Sequence, residues 1–194
     1  MKHPTEELPK EATTITHKSF SQLNMKQFPS FKVMFQYASL SFSSNPIDSW
    51  KTLPSLPFLK YLEMNNTKIS SFQYAQKQPA IETINIKNTP ISNYAHFQLM
   101  AIIAFGRTLK ILNGSRIPVQ IRRRGHELAN SVYPYLFNSW IIINDKPLIL
   151  FNTITRQRTK FMNGNIPQIE IEPVIFEDSE QILSNVANEQ ISLG

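Results

Sequence analysis

The chain contains the stretch Tyr37-Ala-Ser-Leu-Ser-Phe-Ser-Ser-Asn-Pro-Ile47 and repeats its pattern twice without gaps. The second copy is Leu59-Lys-Tyr-Leu-Glu-Met-Asn-Asn-Thr-Lys-Ile69, and the third is Ile81-Glu-Thr-Ile-Asn-Ile-Lys-Asn-Thr-Pro-Ile91. The copies begin 22 residues apart and read apolar-x-x-apolar-x-apolar-x-x-Asn/Thr-x-Ile. Short amphipathic strands with turns occur in many β proteins, but a fixed period indicates a solenoid of stacked coils that share one core.

The first half of each copy alternates apolar and polar residues, which predicts a short strand with its apolar side chains in the core. The polar side chains then face outward on the concave surface, together with Ile111 of a later strand. The predicted partner-binding residues of this face are Ser41, Tyr61, Glu63, Asn65, Thr83, Asn85, Lys87 and Asn113.

The pattern changes on both sides of the three copies. Downstream, the apolar stretch from Tyr94 to Phe105 predicts a helix that Asn93 caps, and the next strand begins 28 residues after the third copy, at Leu109. Upstream, the sequence Phe20-x-x-Leu-x-Met-x-x-Phe28 has a strand pattern. It predicts an N-terminal cap or a degenerate repeat.

These copies, followed by an apolar helix and Leu-Lys-Ile-Leu-Asn-Gly114, resemble the leucine-rich-repeat family, in its 22-residue class with a C-terminal cap. The chain is similar to flagellar and cytoskeletal members and to the spliceosomal A-prime protein. Thr67 and Thr89 stand where the family usually has Asn. The resemblance covers about residues 20–117 and implies an α/β fold. We expect a short solenoid of about four to five coils with a parallel concave sheet, followed by a helix, a hairpin and an extended tail.

Four segments follow from these patterns. They are an N-terminal extension (1–18), the repeat domain with its cap (19–117), a helix plus hairpin (118–164) and an acidic tail (165–194). Ile117, at the end of the second segment, shares one helical stripe with Ile121, Leu128 and Val132 of the third. Gly125 lies in the middle of this helix and weakens it. The hairpin turns at Asn-Asp-Lys146. Its apolar strands either extend the solenoid edge or pack on a partner.

Charge divides the chain into a basic body and an acidic tail. Residues 165–194 contain no Lys or Arg and six acidic residues, although the whole chain has a net charge of +6. Two basic clusters are candidate sites for an acidic protein surface or, less favoured, for nucleic acid: Arg122, Arg123 and Arg124, then Arg156, Arg158 and Lys160. Alternatively, these residues are an ordinary solvated surface, or the tail neutralises the body.

The sequence lacks the patterns of common catalytic and cofactor sites. There is no cysteine, the four histidines are scattered, and no phosphate-binding or zinc-protease motif occurs. We therefore expect no enzyme activity, no metal and no cofactor. No segment reads as a signal peptide or membrane span, which predicts a cytoplasmic protein.

Two functions fit these observations. The first is a scaffold or adaptor that mediates protein–protein contacts in a large cytoskeletal or flagellar assembly, with tubulin or another acidic surface as its partner. The second is a nuclear ribonucleoprotein component similar to the spliceosomal A-prime protein.

Overall fold

The computed structural model describes residues 16–31 and 37–161. The solenoid strands are β1 (Thr16–Ser19), β2 (Tyr37–Ser41), β3 (Tyr61–Glu63), β4 (Thr83–Asn85), β5 (Ile111–Leu112) and β6 (Ser115–Arg116). A 3-10 helix (Pro90–Asn93) and helix α1 (Phe97–Phe105) precede β5. After the solenoid come helix α2 (Val119–Phe137) and strands β7 (Trp140–Asp145), β8 (Leu148–Asn152) and β9 (Arg158–Lys160).

The first six strands form one sheet in chain order, with β1 to β5 parallel and β6 antiparallel at the end. The predicted fold class is confirmed, because five parallel strands stacked one coil apart are a leucine-rich-repeat-type solenoid. The strand register reproduces the sequence period, since Leu40 pairs with Leu62 and Leu62 with Ile84. All three side chains are fully buried, which is why the apolar positions recur.

A left-handed backbone turn ends each strand at the same place in the repeat. Positive φ values of 56–61° are rare for residues other than glycine, but they occur at 22-residue intervals here. The residues concerned are Gln22 (61°), Ser44 (59°), Asn66 (56°) and Asn88 (56°). The polar side chains of the last three form a ladder along the rim, with Asn88 bonded to Asn66 at 2.9 Å.

The N-terminal coil differs from its prediction. Its strand is Thr16–Ser19, which pairs with β2, and residues 20–28 form turns and loops instead. Lys18 lies at the position that corresponds to Leu40, and this polar residue makes the repeat hard to recognise in the sequence. Phe20 stacks on Phe42 with ring centroids 5.1 Å apart. The solenoid sheet therefore begins before residue 19, where the sequence placed the end of an extension.

Asn45 joins the N-terminal coil to the rest of the solenoid. Its side chain is 2% exposed, and Nδ2 donates to the carbonyls of Phe20 and Phe42, both at 2.8 Å. Its Oδ1 accepts hydrogen bonds from the backbone N–H groups of Leu23 and Met25, both at 3.0 Å. One amide thus satisfies backbone groups of two successive coils, as buried polar groups require.

Thr67 and Thr89 hold the same position in the next two coils with fewer bonds. The Thr67 hydroxyl donates to the Met64 carbonyl at 2.9 Å, and the Thr89 hydroxyl donates to the Ile86 carbonyl at 2.8 Å. Both acceptors lie in the residue's own coil. A hydroxyl is too short and has too few hydrogen-bonding atoms to bridge coils as Asn45 does.

Helix α1 begins later than predicted. Asn93 belongs to the 3-10 helix instead of capping α1, and His96 is the N-cap residue, without a side-chain cap. Eight of the nine residues of α1 are buried. The ring of Phe105 lies 5.1 Å from that of Trp50 and 5.8 Å from that of Phe72, so α1 seals the aromatic convex side of the repeats.

Helix α2 packs across α1 at Gly125. A Cβ atom at this position would lie 2.6 Å from Cγ2 and 2.9 Å from Cβ of Ile102. The glycine is therefore a point of close approach between the helices, and its role is more specific than the weakening of a helix. The apolar stripe of α2 is buried at Leu128 and Val132, whereas Ile121 is only partly buried.

The predicted hairpin does not extend the solenoid sheet, and its inward-facing apolar residues are buried. Strands β7, β8 and β9 make a separate antiparallel sheet. It packs on α2, where Tyr135 contacts Trp140 and Phe161 with ring distances of 5.6 and 5.4 Å. Apolar residues from Phe28 to Leu150 belong to one core. The predicted acidic tail (165–194) lies outside the described residues.

Replacing Gly125 with alanine tests the contact between α1 and α2. Alanine favours a helix by about 1 kcal/mol over glycine, but overpacking against Ile102 costs about 1–3 kcal/mol. We expect net destabilisation in urea unfolding. Asn130→Ala, at an exposed position of the same helix, is the matched control and leaves the midpoint nearly unchanged. A Gly125→Ala protein as stable as the control would contradict the close approach.

The different hydrogen bonds of Asn45 and Thr67 predict unequal losses of stability when each side chain is removed. Asn45→Ala removes hydrogen bonds to backbone groups of two coils and destabilises the protein by about 3 kcal/mol, whereas Thr67→Ala costs about 1 kcal/mol. Chemical denaturation gives both values. Hydrogen exchange should rise in residues 20–28 of the Asn45 variant alone. Equal losses in the two variants would show that Asn45 does not join the coils.

Candidate protein-binding face

Two rows of side chains cross the concave face. The sheet register places Ser39, Tyr61, Thr83 and Ile111 in one row, and Ser41, Glu63 and Asn85 in the other. The side chains of both rows are partly exposed, because alternate residues of each strand point away from the core. Strands β2 to β5 thus bring five of the eight predicted residues of this face into two adjacent rows.

Glu63 lies at the centre of a hydrogen-bonded network. Its Oε2 accepts from the Ser41 hydroxyl at 2.9 Å, and its Oε1 accepts from Asn65 Nδ2 at 2.9 Å. The Ser41 hydroxyl also lies 2.8 Å from that of Ser21. Two donors from neighbouring positions therefore hold the carboxylate in one orientation, while the Glu63 residue remains partly exposed.

Tyr61 is the aromatic residue of the face, and its hydroxyl oxygen accepts from Asn85 Nδ2 at 2.8 Å. Since a phenol is both donor and acceptor, this bond leaves the Tyr61 proton available to a partner. Asn85 Oδ1 is buried and has no hydrogen-bond partner among the described residues. The face therefore presents an oriented donor at Tyr61 next to an oriented acceptor at Glu63.

The remaining three predicted residues lie just beyond the strands. Asn65 Oδ1 accepts from the Lys87 N–H, and Asn113 Oδ1 accepts from the Ile86 N–H, both at 2.7 Å. Both asparagines thus bond neighbouring coils through backbone groups, while the Lys87 side chain is exposed. The sequence pattern predicts that the two asparagines face outward. It does not show that their side-chain amides form hydrogen bonds within the solenoid.

Sequence reasoning missed His17 on this face. It pairs with Ser39 and is exposed on β1, the strand that the predicted N-terminal extension obscured. The signal is the 22-residue period counted back from Ser39. Ile111, at the other end of the same row, is 37% exposed and provides an apolar contact point.

The three consecutive arginines have three different environments. Arg124 Nε donates to Asp145 Oδ1 at 2.8 Å and links α2 to β7, while its Nη1 lies 3.6 Å from Glu127. Arg123 is exposed and contacts Glu127 at 3.3 Å. Arg122 is partly buried, and its Nε has no hydrogen-bond partner among the described residues. The three guanidinium groups therefore do not form one continuous patch.

The second basic cluster lies on the separate sheet. Arg158 and Lys160 are exposed residues of β9, and Arg156 lies in the preceding turn with a φ of 63°. Burial raises the pKa of Tyr94, and the positive charge of Arg156 partly opposes this rise. This turn is therefore close to the segment that precedes α1.

A cleft of about 400 Å³ lies between the start of α1, α2 and the hairpin turn. Its lining includes His96, Leu99, Ile121, Arg124 and Asp145. Burial lowers the pKa of His96, and the Asp145 carboxylate, which raises it, offsets only part of the change. The Arg124–Asp145 ion pair forms part of one wall of this cleft, so the ion pair has a structural role there.

Other kinds of site are not apparent in the described part of the chain. Across residues 16–31 and 37–161, no three His, Asp or Glu side chains are grouped so that they could hold a metal ion. Within the same ranges, no helix has the length and apolar character needed to cross a membrane.

The similarity of this chain to known proteins is low. No family model matches the sequence, and no curated protein matches it. The Mex67:Mtr2 subunits of Chaetomium are similar at 17% identity and a TM-score of 0.35, over 47% of this chain and 64% of that one. The Drosophila melanogaster SNF/U2A' complex is similar at 16% identity and a TM-score of 0.41, over 60% and 86%. The class of protein, a leucine-rich-repeat-type solenoid, is therefore defined by the strand register and core.

The histidine in the cleft predicts a dependence of stability on pH. Because the folded-state pKa of His96 lies below 6.5, the unfolded chain binds its proton first as the pH falls. The contribution of neutral His96 to the free energy of unfolding is present above pH 6.5. It is lost as the pH falls from there through the folded-state pKa. We expect His96→Gln to flatten the fall in melting temperature below neutral pH relative to the wild-type protein. Identical slopes for His96→Gln and wild type would contradict this assignment.

Proposed function

We propose that the chain is a non-enzymatic scaffold that binds a protein partner through its concave face. The observation that carries this proposal is the network in which Ser41 and Asn65 orient Glu63 while Asn85 orients Tyr61. Side chains that are already ordered lose little conformational entropy on binding, so they favour a specific polar contact. Ile111 adds apolar area at the end of the same face.

The charge of the concave face favours a protein over a nucleic acid. Of its eight predicted residues, only Glu63 and Lys87 carry a charge, and the two charges are opposite. Nucleic-acid affinity depends on neutralising many phosphates with Lys and Arg. A nearly neutral face with a central carboxylate suits polar and aromatic groups of a protein surface instead.

We further propose that the assembly is cytoskeletal or flagellar. The described residues include seventeen Lys and Arg but only five Asp and Glu, so the body as a whole is strongly basic. Such a body suits an acidic lattice such as tubulin, which would attract it over the Debye length. The alternative is a nuclear ribonucleoprotein component, for which the resemblance to the spliceosomal A-prime protein is the support.

Charge reversal on the concave face tests the binding site. Full-length chain carrying Glu63→Lys is affinity-purified from its native cells beside wild type and Asp48→Lys, which makes the same charge change at an exposed position off the sheet. We expect wild type and Asp48→Lys to recover the same partners. The recovery of these partners should fall about tenfold with Glu63→Lys, which corresponds to a loss of about 1.4 kcal/mol of binding free energy.

Two measurements make this comparison decisive. Thermal unfolding shows whether Glu63→Lys is folded, and the conservative Tyr61→Phe removes the hydroxyl while keeping the ring. Reduced recovery with both variants supports the concave site. Retention of every partner by folded Glu63→Lys protein would remove the concave face from the proposal.

Co-sedimentation distinguishes the two assemblies. We expect the purified chain to pellet with microtubules at low salt and to be released as ionic strength rises, because surface charges are screened. Recovery in the soluble fraction at low salt, together with copurification of small nuclear RNA from cell extracts, would instead favour the nuclear alternative.

A further inference from the structure

Strand β9 is the outer strand of the second sheet. The strand order is β7-β8-β9, and no described residue pairs with the far side of β9. A row of unpaired backbone N–H and C=O groups is a template for another strand, and proteins usually block it with charge or cover it. The edge of β9 is therefore a surface where a further chain segment can bind.

The hydrogen bonds of the β8–β9 ladder show which groups face this edge. Phe161 N–H donates to the Leu148 carbonyl at 2.9 Å, and Asn152 N–H donates to the Gln157 carbonyl at 2.8 Å. In an antiparallel pair, alternate residues face the partner strand. Residues 157, 159 and 161 thus bond β8, and the backbone groups of Arg158 and Lys160 point to the open edge.

The side chains of the same two residues lie on the outer face of the sheet. Arg158 pairs across the strands with Phe151, and Lys160 pairs with Ile149. Both cations are exposed and make no ion pair with any of the described residues, while Phe151 and Ile149 are partly exposed. This face offers apolar surface with two positive charges along its margin.

Thr159 lies between the two cations and points to the opposite face. It is 2% exposed, and its hydroxyl has no hydrogen-bond partner among the described residues. A buried hydroxyl without a partner is uncommon and unfavourable. A strand added beside β9 would place groups next to this hydroxyl, and apolar side chains on this face would extend the contact with Tyr135 and Phe161.

We propose that β9 is the docking edge for an extended acidic segment of a protein partner. The segment adds as a fourth strand through main-chain hydrogen bonds to Arg158 and Lys160, as in strand addition to other sheet edges. Its residues alternate, with acidic side chains beside the two cations and apolar side chains beside Thr159. This surface is separate from the concave face and does not depend on the function proposed for that face.

This chain contains the same alternation in its own sequence, since residues 168–172 read Gln-Ile-Glu-Ile-Glu. Because its sequence has the alternation proposed for the partner, the experiment must separate this segment from a partner. Reversing its charges with Glu170→Lys and Glu172→Lys leaves β9 unchanged and removes the competition.

The test uses the full chain and a fluorescent peptide, Glu-Ile-Glu-Ile-Glu-Ile-Glu, measured by fluorescence anisotropy. We expect saturable binding that falls at least about tenfold with Arg158→Glu/Lys160→Glu and less than about twofold with Lys26→Glu/Lys68→Glu. The control pair makes the same charge change at exposed lysines of the solenoid. A peptide N-methylated at alternate residues keeps its side chains and should bind poorly to the wild-type chain.

Hydrogen exchange locates the bound peptide. The amides of Arg158 and Lys160 should gain protection on peptide addition, while that of Thr159 changes little because it already bonds β8. No binding, equal binding by the two double variants, or full binding by the N-methylated peptide would overturn the proposal. Protection of Arg158 and Lys160 without peptide, lost in the Glu170→Lys/Glu172→Lys chain, would also overturn it and assign the edge to residues 168–172.

Discussion

The structure depends on hydrogen bonds between strands that lie one repeat apart. Each coil is too small to bury its own apolar side chains, so Leu40, Leu62 and Ile84 become fully buried only when successive strands are in register. The register requires a turn of constant length, and left-handed residues at 22-residue intervals provide it. Asn45 reinforces the first junction with bonds to two coils, whereas the threonines that follow leave the next junctions to the backbone and the core.

Helix α1 covers the convex side of the stacked coils and joins them to helix α2. One side of it covers the aromatic rings of Trp50 and Phe72, and the other approaches α2 closely enough to require Gly125. Through α2 the core extends to the second sheet, and the Arg124–Asp145 ion pair links the two at the surface. The segment after the solenoid is therefore part of the same packed body, which fixes the distinct surfaces relative to one another.

Two surfaces of this body have different chemistry. The concave face is nearly neutral and internally hydrogen-bonded around Glu63, so it suits a folded partner with complementary polar groups. The edge at β9 is basic and its main-chain groups are unpaired within residues 16–31 and 37–161, so it suits an extended acidic segment. The basic residues do not act as one electrostatic unit, because Arg124 is held by Asp145 while Arg158 and Lys160 are free of ion pairs within the described residues.

The sequence by itself determined the solenoid, since a 22-residue period with buried positions at fixed offsets has one efficient way to bury its apolar faces. It also placed Tyr61, Glu63 and Asn85 on the concave face, because strand alternation is local. It could not place the first strand, where Lys18 breaks the apolar pattern. Only the tertiary structure decided that Gly125 is a helix contact and that Arg122, Arg123 and Arg124 separate. It also decided that β9 is the outer strand among the part of the chain that the structure describes. These features depend on which elements meet across long sequence distances, and no local periodicity encodes such meetings.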